Sequence, residues 1–126
     1  MERVLYNTRL LKKTCLSERA QCFHLTFEID GVSDFVFIAG QFVSLVASDS
    51  HGKQQTRAYS IASAPRGNQY DLCVNRVEGG FFSNLLCDME TGATVKMHGP
   101  HGLFTLREPL GNSIFIATGT GVAARA

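Results

Sequence analysis

Between positions 23 and 30 the chain alternates without a break: Phe23, Leu25, Phe27 and Ile29 against His24, Thr26, Glu28 and Asp30. A period of two sends the apolar set to one face of an extended strand and the polar set to the other. A helix would scatter the same residues around its axis, because helical neighbours recur about every 3.6 residues. The chain therefore builds a sheet with one dry side.

Asp30-Gly31 supplies a turn, and Phe35-Val36-Phe37-Ile38 reads as the start of another extended segment. Gly40-Gln41 punctuates before the apolar stretch 42–46, and the polar stretch 48–55, with Gly52 inside it, reads as a surface loop. Further extended segments fall at 57–62, 70–77 and 94–97, each bounded by Gly, Pro or Asn. Short strands with a turn signal about every ten residues predict an antiparallel sandwich or small barrel. One stretch changes period. Phe82, Leu85, Leu86 and Met89 fall at i, i+3, i+4 and i+7 between Gly79-Gly80 and Thr91-Gly92, which predicts one short helix. His98-Gly99-Pro100-His101-Gly102 reads as a tight turn, with Phe104 packing in the core.

With 126 residues, 44% of them hydrophobic, the chain has material for one ordinary core. A net charge of +1 and no basic run argue against nucleic acid and against an oligonucleotide-binding barrel. The first residues lack the apolar stretch of a signal peptide. The apolar-looking run 114–124 is broken by Thr118-Gly119-Thr120-Gly121 and falls short of the ~20 residues a membrane span requires. A soluble, cytoplasmic protein is expected. The four cysteines, at 15, 22, 73 and 87, form no C-x-x-C, and Cys22 and Cys73 are expected as small buried thiols within strands. His98 and His101 lack a carboxylate partner nearby in sequence, so no metal is expected there.

Two constellations carry chemistry. In Arg57-Ala58-Tyr59-Ser60, alternation puts Arg57 and Tyr59 on one face and Ser60 on the other. A guanidinium fork beside an aromatic ring suits a ligand that joins a phosphate to a flat heterocycle. In Arg76-Val77-Glu78-Gly79-Gly80-Phe81-Phe82-Ser83-Asn84, two glycines lead straight into the predicted helix. The first N–H groups of a helix have no partner inside it and favour an anion, and Ser83 can add a hydroxyl. The tail differs again. Ser113-Ile114-Phe115-Ile116-Ala117 is a continuous apolar run followed by Gly119-Thr120-Gly121, the way a parallel α/β domain opens.

Gly40-Gln41-Phe42, Arg57-Ala58-Tyr59-Ser60-Ile61, Gly79-Gly80-Phe81-Phe82-Ser83, Gly99-Pro100-His101-Gly102-Leu103-Phe104 and Gly119-Thr120-Gly121 occur in this order. Each is weak alone. Together they resemble the ferredoxin–NADP reductase-type flavoproteins along nearly the whole chain. The resemblance implies an all-β fold, a six-stranded antiparallel Greek-key β-barrel with one short capping helix. It implies a barrel domain over 1–110, and the start of a truncated NAD(P)-binding domain over 111–126.

The same resemblance implies FAD as cofactor, with FMN the lesser choice because the helix cradle suits a diphosphate. Arg57 would contact the diphosphate, Tyr59 would stack on the isoalloxazine with Ala58 beside it, and Ser60 would lie near N5. Val74, Asn75 and Arg76 would line the ribityl and phosphate side, largely through backbone groups. Gly80, Phe81, Phe82 and Ser83 would cradle the pyrophosphate, and Thr118 would approach the far edge of the ring. Tyr59 and Ser60 would stand closest to the chemistry. NAD(P)H would be the reductant in the full-length enzyme, and ferredoxin or another redox protein the acceptor. After Gly121 the chain has Val122-Ala123-Ala124, with Ala where the family usually has Pro. A chain without the second domain is expected to be a poor NAD(P)H oxidase, because hydride transfer needs both partners held in place. The apolar run 114–117 is expected to be disordered or buried in a homodimer contact. The competing reading is a flavin-free β-barrel interaction module, against which the retention of Arg57, Tyr59, Ser60 and Gly80 speaks.

Overall fold

The computed structural model describes residues 4–102. In chain order the elements are β1 (Tyr6–Ser17), β2 (Cys22–Ile29), β3 (Phe42–Ser48), β4 (Gln54–Ser60), β5 (Gln69–Asn75), α1 (Phe81–Asp88) and β6 (Thr94–His101). The strict alternation becomes β2, where Leu25, Phe27 and Ile29 are fully buried. Against them β5 sets Tyr70, Leu72 and Val74, in the register Leu25↔Leu72 and Phe27↔Tyr70. The Phe27 and Tyr70 rings stack with centroids 5.5 Å apart, and Phe35 packs on Tyr70 from the side. Burial pushes the Tyr70 hydroxyl well above its ordinary pKa, and it donates to Thr8, which in turn donates to the Val95 carbonyl. No polar atom of that relay is left unpaired in the dry interior.

All pairings are antiparallel, and the sheet order is β4-β3-β6-β1-β2-β5. The fold is all-β in Greek-key order with a single helix among the described residues. The ladder stays open between its two end strands, β4 and β5. Two bonds just past β4 bridge the gap: Ala62 N–H donates to the Asp71 carbonyl at 2.8 Å, and Asp71 N–H donates to Ser63 Oγ at 3.1 Å. Helix α1 buries Phe82, Leu86 and Cys87 against the open end of the sheet. Lys13 of β1 reaches its C-terminus and donates to the carbonyls of Cys87 and Met89, both at 2.8 Å. A lysine there satisfies carbonyls the helix itself leaves free and complements its dipole.

Several expectations need correction. The segment 35–38 joins no ladder: Phe35 and Phe37 do point inward and Val36 and Ile38 outward, but no neighbouring strand pairs with it. The sixth strand is β1, whose twelve residues show no clean alternation. Its buried positions include the polar Thr8, while Leu11 and Leu16 face outward. Gly99-Pro100 is not a turn but lies within β6, opposite a register irregularity between Phe42 and Ser44 of β3. Gly99 has φ +148°, and a Cβ there would meet the Phe42 carbonyl oxygen and Val43 Cα at 3.3 Å, so both the backbone angle and the close approach of β3 favour glycine. Gln54 and Gln55, placed in the surface loop, open β4. Cys22 and Cys73 are only half-buried, on the outer face, and Cys87 is the buried thiol. Phe104, Thr118, the run 113–117, the Gly119-Thr120-Gly121 turn and the boundary at 110/111 lie outside the described residues. No helix in the described residues is long and apolar enough to cross a membrane.

Candidate functional site

Strand β4 buries none of its residues. It pairs with β3 alone, in the register Leu45↔Arg57, Val43↔Tyr59 and Phe42↔Ser60. β3 turns Val43 and Leu45 into the core, and the opposed β4 side chains line a cleft instead. Period two places Gln55, Arg57 and Tyr59 on one side of β4, and all three face the start of α1 across a cavity of 230 Å³. Gly80, Phe81, Phe82 and Ser83 form the facing wall, with Thr56 and Val77 at its edge.

Arg57 is exposed and makes no hydrogen bond or ion pair among the described residues. Tyr59 is half-buried: burial pushes its hydroxyl above the ordinary range while the Arg57 charge pulls the other way, so the ring stays neutral. Across the cleft Gly80 is the N-cap of α1, and no side chain caps the helix start. The helix therefore presents unpaired N–H donors and the positive end of its dipole. A Cβ on Gly80 would sit 2.9 Å from Ser83 Oγ and 3.2 Å from the Val77 carbonyl oxygen, so a side chain there would intrude on this cradle. Ser83 is nearly buried, and its hydroxyl accepts from Val77 N–H at 2.9 Å, fastening the preceding loop to the helix.

The remaining sequence-derived residues sit around this cleft unequally. Ala58 and Ser60 are exposed on β4, Ser60 at its end beside Gln41, whose carbonyl accepts from Ile61 N–H. Val74 turns its side chain into the core, leaving only its backbone to face outward, and Asn75 ends β5 exposed. The Arg76 guanidinium is already engaged: it donates to Asn84 and Asp88 of α1, both at 2.8 Å, and to Gln21 at 3.3 Å. Arg76 fixes the helix rather than standing free for an anion. Gln55, Thr56 and Val77 were missed from the sequence; Gln55 was findable, two residues before Arg57 on the same strand face. His98 and His101 bond to each other, 2.7 Å between ring nitrogens.

A cation without a partner, a half-buried ring and an open helix start in one cleft can hold a ligand that is anionic in one part and flat in another. The model of a family described as the oxidoreductase FAD-binding domain matches residues 7–106. This chain is a member of the oxidoreductase FAD-binding domain family. FAD is the cofactor of such a domain, and a guanidinium, a ring face and a free helix start are groups of the kind that a diphosphate and a flat ring system bind. Ferredoxin–NADP reductase B of Sorangium cellulosum (strain So ce56) is 52% identical over 101 residues, 78% of this chain and 41% of that protein. The fold resembles that of a ferredoxin reductase in carbazole 1,9a-dioxygenase, with a TM-score of 0.81 at 23% identity over 98% of this chain and 38% of that one. A ferredoxin NADP+ reductase from Neisseria gonorrhoeae, solved with bound FAD and NADP, aligns with a TM-score of 0.66 at 21% identity over 81% of this chain and 40% of that one. This FAD-binding domain thus spans less than half the length of these relatives.

Proposed function

We propose that the β4–α1 cleft is the FAD site of an NAD(P)H-dependent reductase of the ferredoxin–NADP reductase type. The observation that carries the proposal is Arg57, an unpaired guanidinium facing an uncapped helix start across a cleft floored by Tyr59. Arg57 and the backbone donors of Gly80, Phe81, Phe82 and Ser83 hold the diphosphate between them; two separate anion contacts favour FAD over FMN. Tyr59 gives the isoalloxazine a neutral stacking face, with Ala58 alongside, and Ser60 at the end of β4 meets the N5 edge. Backbone groups of Val74, Asn75 and Arg76 border the ribityl side. When bound, the flavin supplies reversible hydride and single-electron transfer, while the protein orients and shields it.

In the whole protein, a nucleotide-binding domain following residue 110 would present NAD(P)H, and ferredoxin or another redox protein would take the electrons; the name of the Sorangium relative supports this reading. Four unpaired thiols support a reducing, cytoplasmic setting. The test is the absorption spectrum of the purified protein, followed by heat release and chromatography of the bound compound. Oxidised-flavin bands with FAD released are expected. A colourless protein that fails to bind added FAD contradicts the proposal.

A further inference from the structure

On the outer face of the sheet, outside the lining of the β4–α1 cavity, β2 and β5 bring two thiols together. Cys22 Sγ lies 3.8 Å from Cys73 Sγ, although 51 positions separate them in the chain. The register explains the meeting: Cys22 is opposite Asn75 and His24 is opposite Cys73, so the two cysteines are diagonal neighbours on one face. Both are half-buried and neither is in a disulfide. The other two thiols make no such sulfur contact: Cys15 is exposed on β1, and Cys87 is buried on the inner side of α1 itself.

We propose that Cys22 and Cys73 form an oxidisable dithiol that closes to a cross-strand disulfide when a hydroperoxide reaches this face. A diagonal pair starts about 7–8 Å apart, just beyond the roughly 4.4–6.8 Å between Cα atoms that disulfides usually span, so closure needs backbone movement. The sulfurs must therefore approach by roughly 1.8 Å to reach a bond of about 2.05 Å. That movement falls on Cys22, the first residue of β2, which follows Gln21 in its left-handed turn (φ 51°) and faces a register irregularity in β1 between Cys15 and Ser17. Burial and the neighbouring Cys22 push the Cys73 thiol up to about 11, and the 3.8 Å separation of the two sulfurs makes each the nearest partner for the other once one is oxidised.

The balance is complete with hydrogen peroxide as oxidant. The thiolate of one of the two cysteines attacks one peroxide oxygen, the O–O bond breaks, and the departing hydroxide takes up the proton that thiol released, leaving a sulfenic acid and the first water. The other cysteine's sulfur then attacks the sulfenic sulfur and expels the hydroxyl, which leaves with that second thiol's proton as the second water. Two thiols lose two protons and two electrons, and one peroxide becomes two waters. Proximity favours this closure over further oxidation of the sulfenic acid.

The experiment is treatment of the purified protein with hydrogen peroxide, then digestion and mass spectrometry without reductant. A peptide joining Cys22 to Cys73, lighter by two hydrogens and released by dithiothreitol, is expected. It should persist in Cys15→Ser and Cys87→Ser and vanish in Cys22→Ser and Cys73→Ser. Sulfinic acid accumulating at Cys22, or a bridge that instead uses Cys15 or joins two chains, overturns the proposal. The result on the wild-type protein stands by itself if a variant fails to fold.

Discussion

β4 and β5 close the same sheet at its two ends, yet they are used in opposite ways. β5 buries Tyr70, Asp71, Leu72 and Val74, and its one acidic side chain is answered on both sides, by Arg66 and by His24 Nε2 at 2.8 Å. β4 buries nothing, and its arginine is answered by nothing among the described residues. Arg66 and Arg57 are both exposed cations beside an end strand. One completes an ion-pair network that the fold itself needs, and the other is left over. A cation left over beside an aromatic ring and a helix start is available to a ligand, whereas a cation already paired is not.

The contrast breaks most visibly at Leu72, fully buried on β5. Leu72→Ala should cost about 2–5 kcal/mol in urea unfolding, from lost burial plus the cavity left behind. A variant as stable as the wild type would mean that the β2–β5 interior is loosely packed. Gly80→Ala is the next largest. The Gly80 backbone, at φ −77°, suits alanine, so crowding alone decides the outcome. The new Cβ displaces Ser83 Oγ from Val77 N–H, and a loss of about 1–3 kcal/mol in thermal unfolding is expected. No loss would show that the loop before α1 yields freely and that the cradle is not held in shape.

The smallest effect sharpens the β5 side. Burial opposes ionisation of Asp71, but hydrogen bonds from Arg66, His24 and Thr26 outweigh it and hold the carboxyl below its ordinary value. A carboxylate lowered in the folded state contributes stability above its unfolded pKa, about 3.9, and loses it as pH falls through the folded value. The urea midpoint should therefore drop below about pH 4, and in Asp71→Asn that acid limb should be shallower. An unchanged limb would place the acid sensitivity elsewhere.

What the sequence disclosed follows the same division. β2 was legible because its inner face is wholly apolar, and α1 because Phe82, Leu86 and Met89 keep helical spacing between glycines. β1 was illegible because its interior is shared with a hydroxyl, Thr8, and two of its leucines point to water. The segment 35–38 imitated a strand because packing aromatic rings needs alternation whether or not a ladder forms. In the cleft, Arg57, Tyr59 and Gly80 were found through motif and strand parity, while Thr56 and Val77 enter it only through the way α1 crosses β4. Arg76 was expected to line the flavin side largely through its backbone; the commitment of its guanidinium to Asn84, Asp88 and Gln21 arises from tertiary placement that spacing does not encode.

The most direct test of the account is a titration of FAD into the wild type, Arg57→Ala, Tyr59→Ala and Arg66→Ala, followed by flavin fluorescence. Arg57→Ala should weaken binding on the order of 10–100-fold, the worth of a charge-assisted phosphate contact, while changing stability by less than about 0.5 kcal/mol. Tyr59→Ala should weaken it less, and should also relieve quenching by the stacked ring. Arg66→Ala should bind FAD as the wild type does. If Arg66→Ala weakens binding as much as Arg57→Ala, or if neither β4 variant alters it, the cleft between β4 and α1 is not the flavin site.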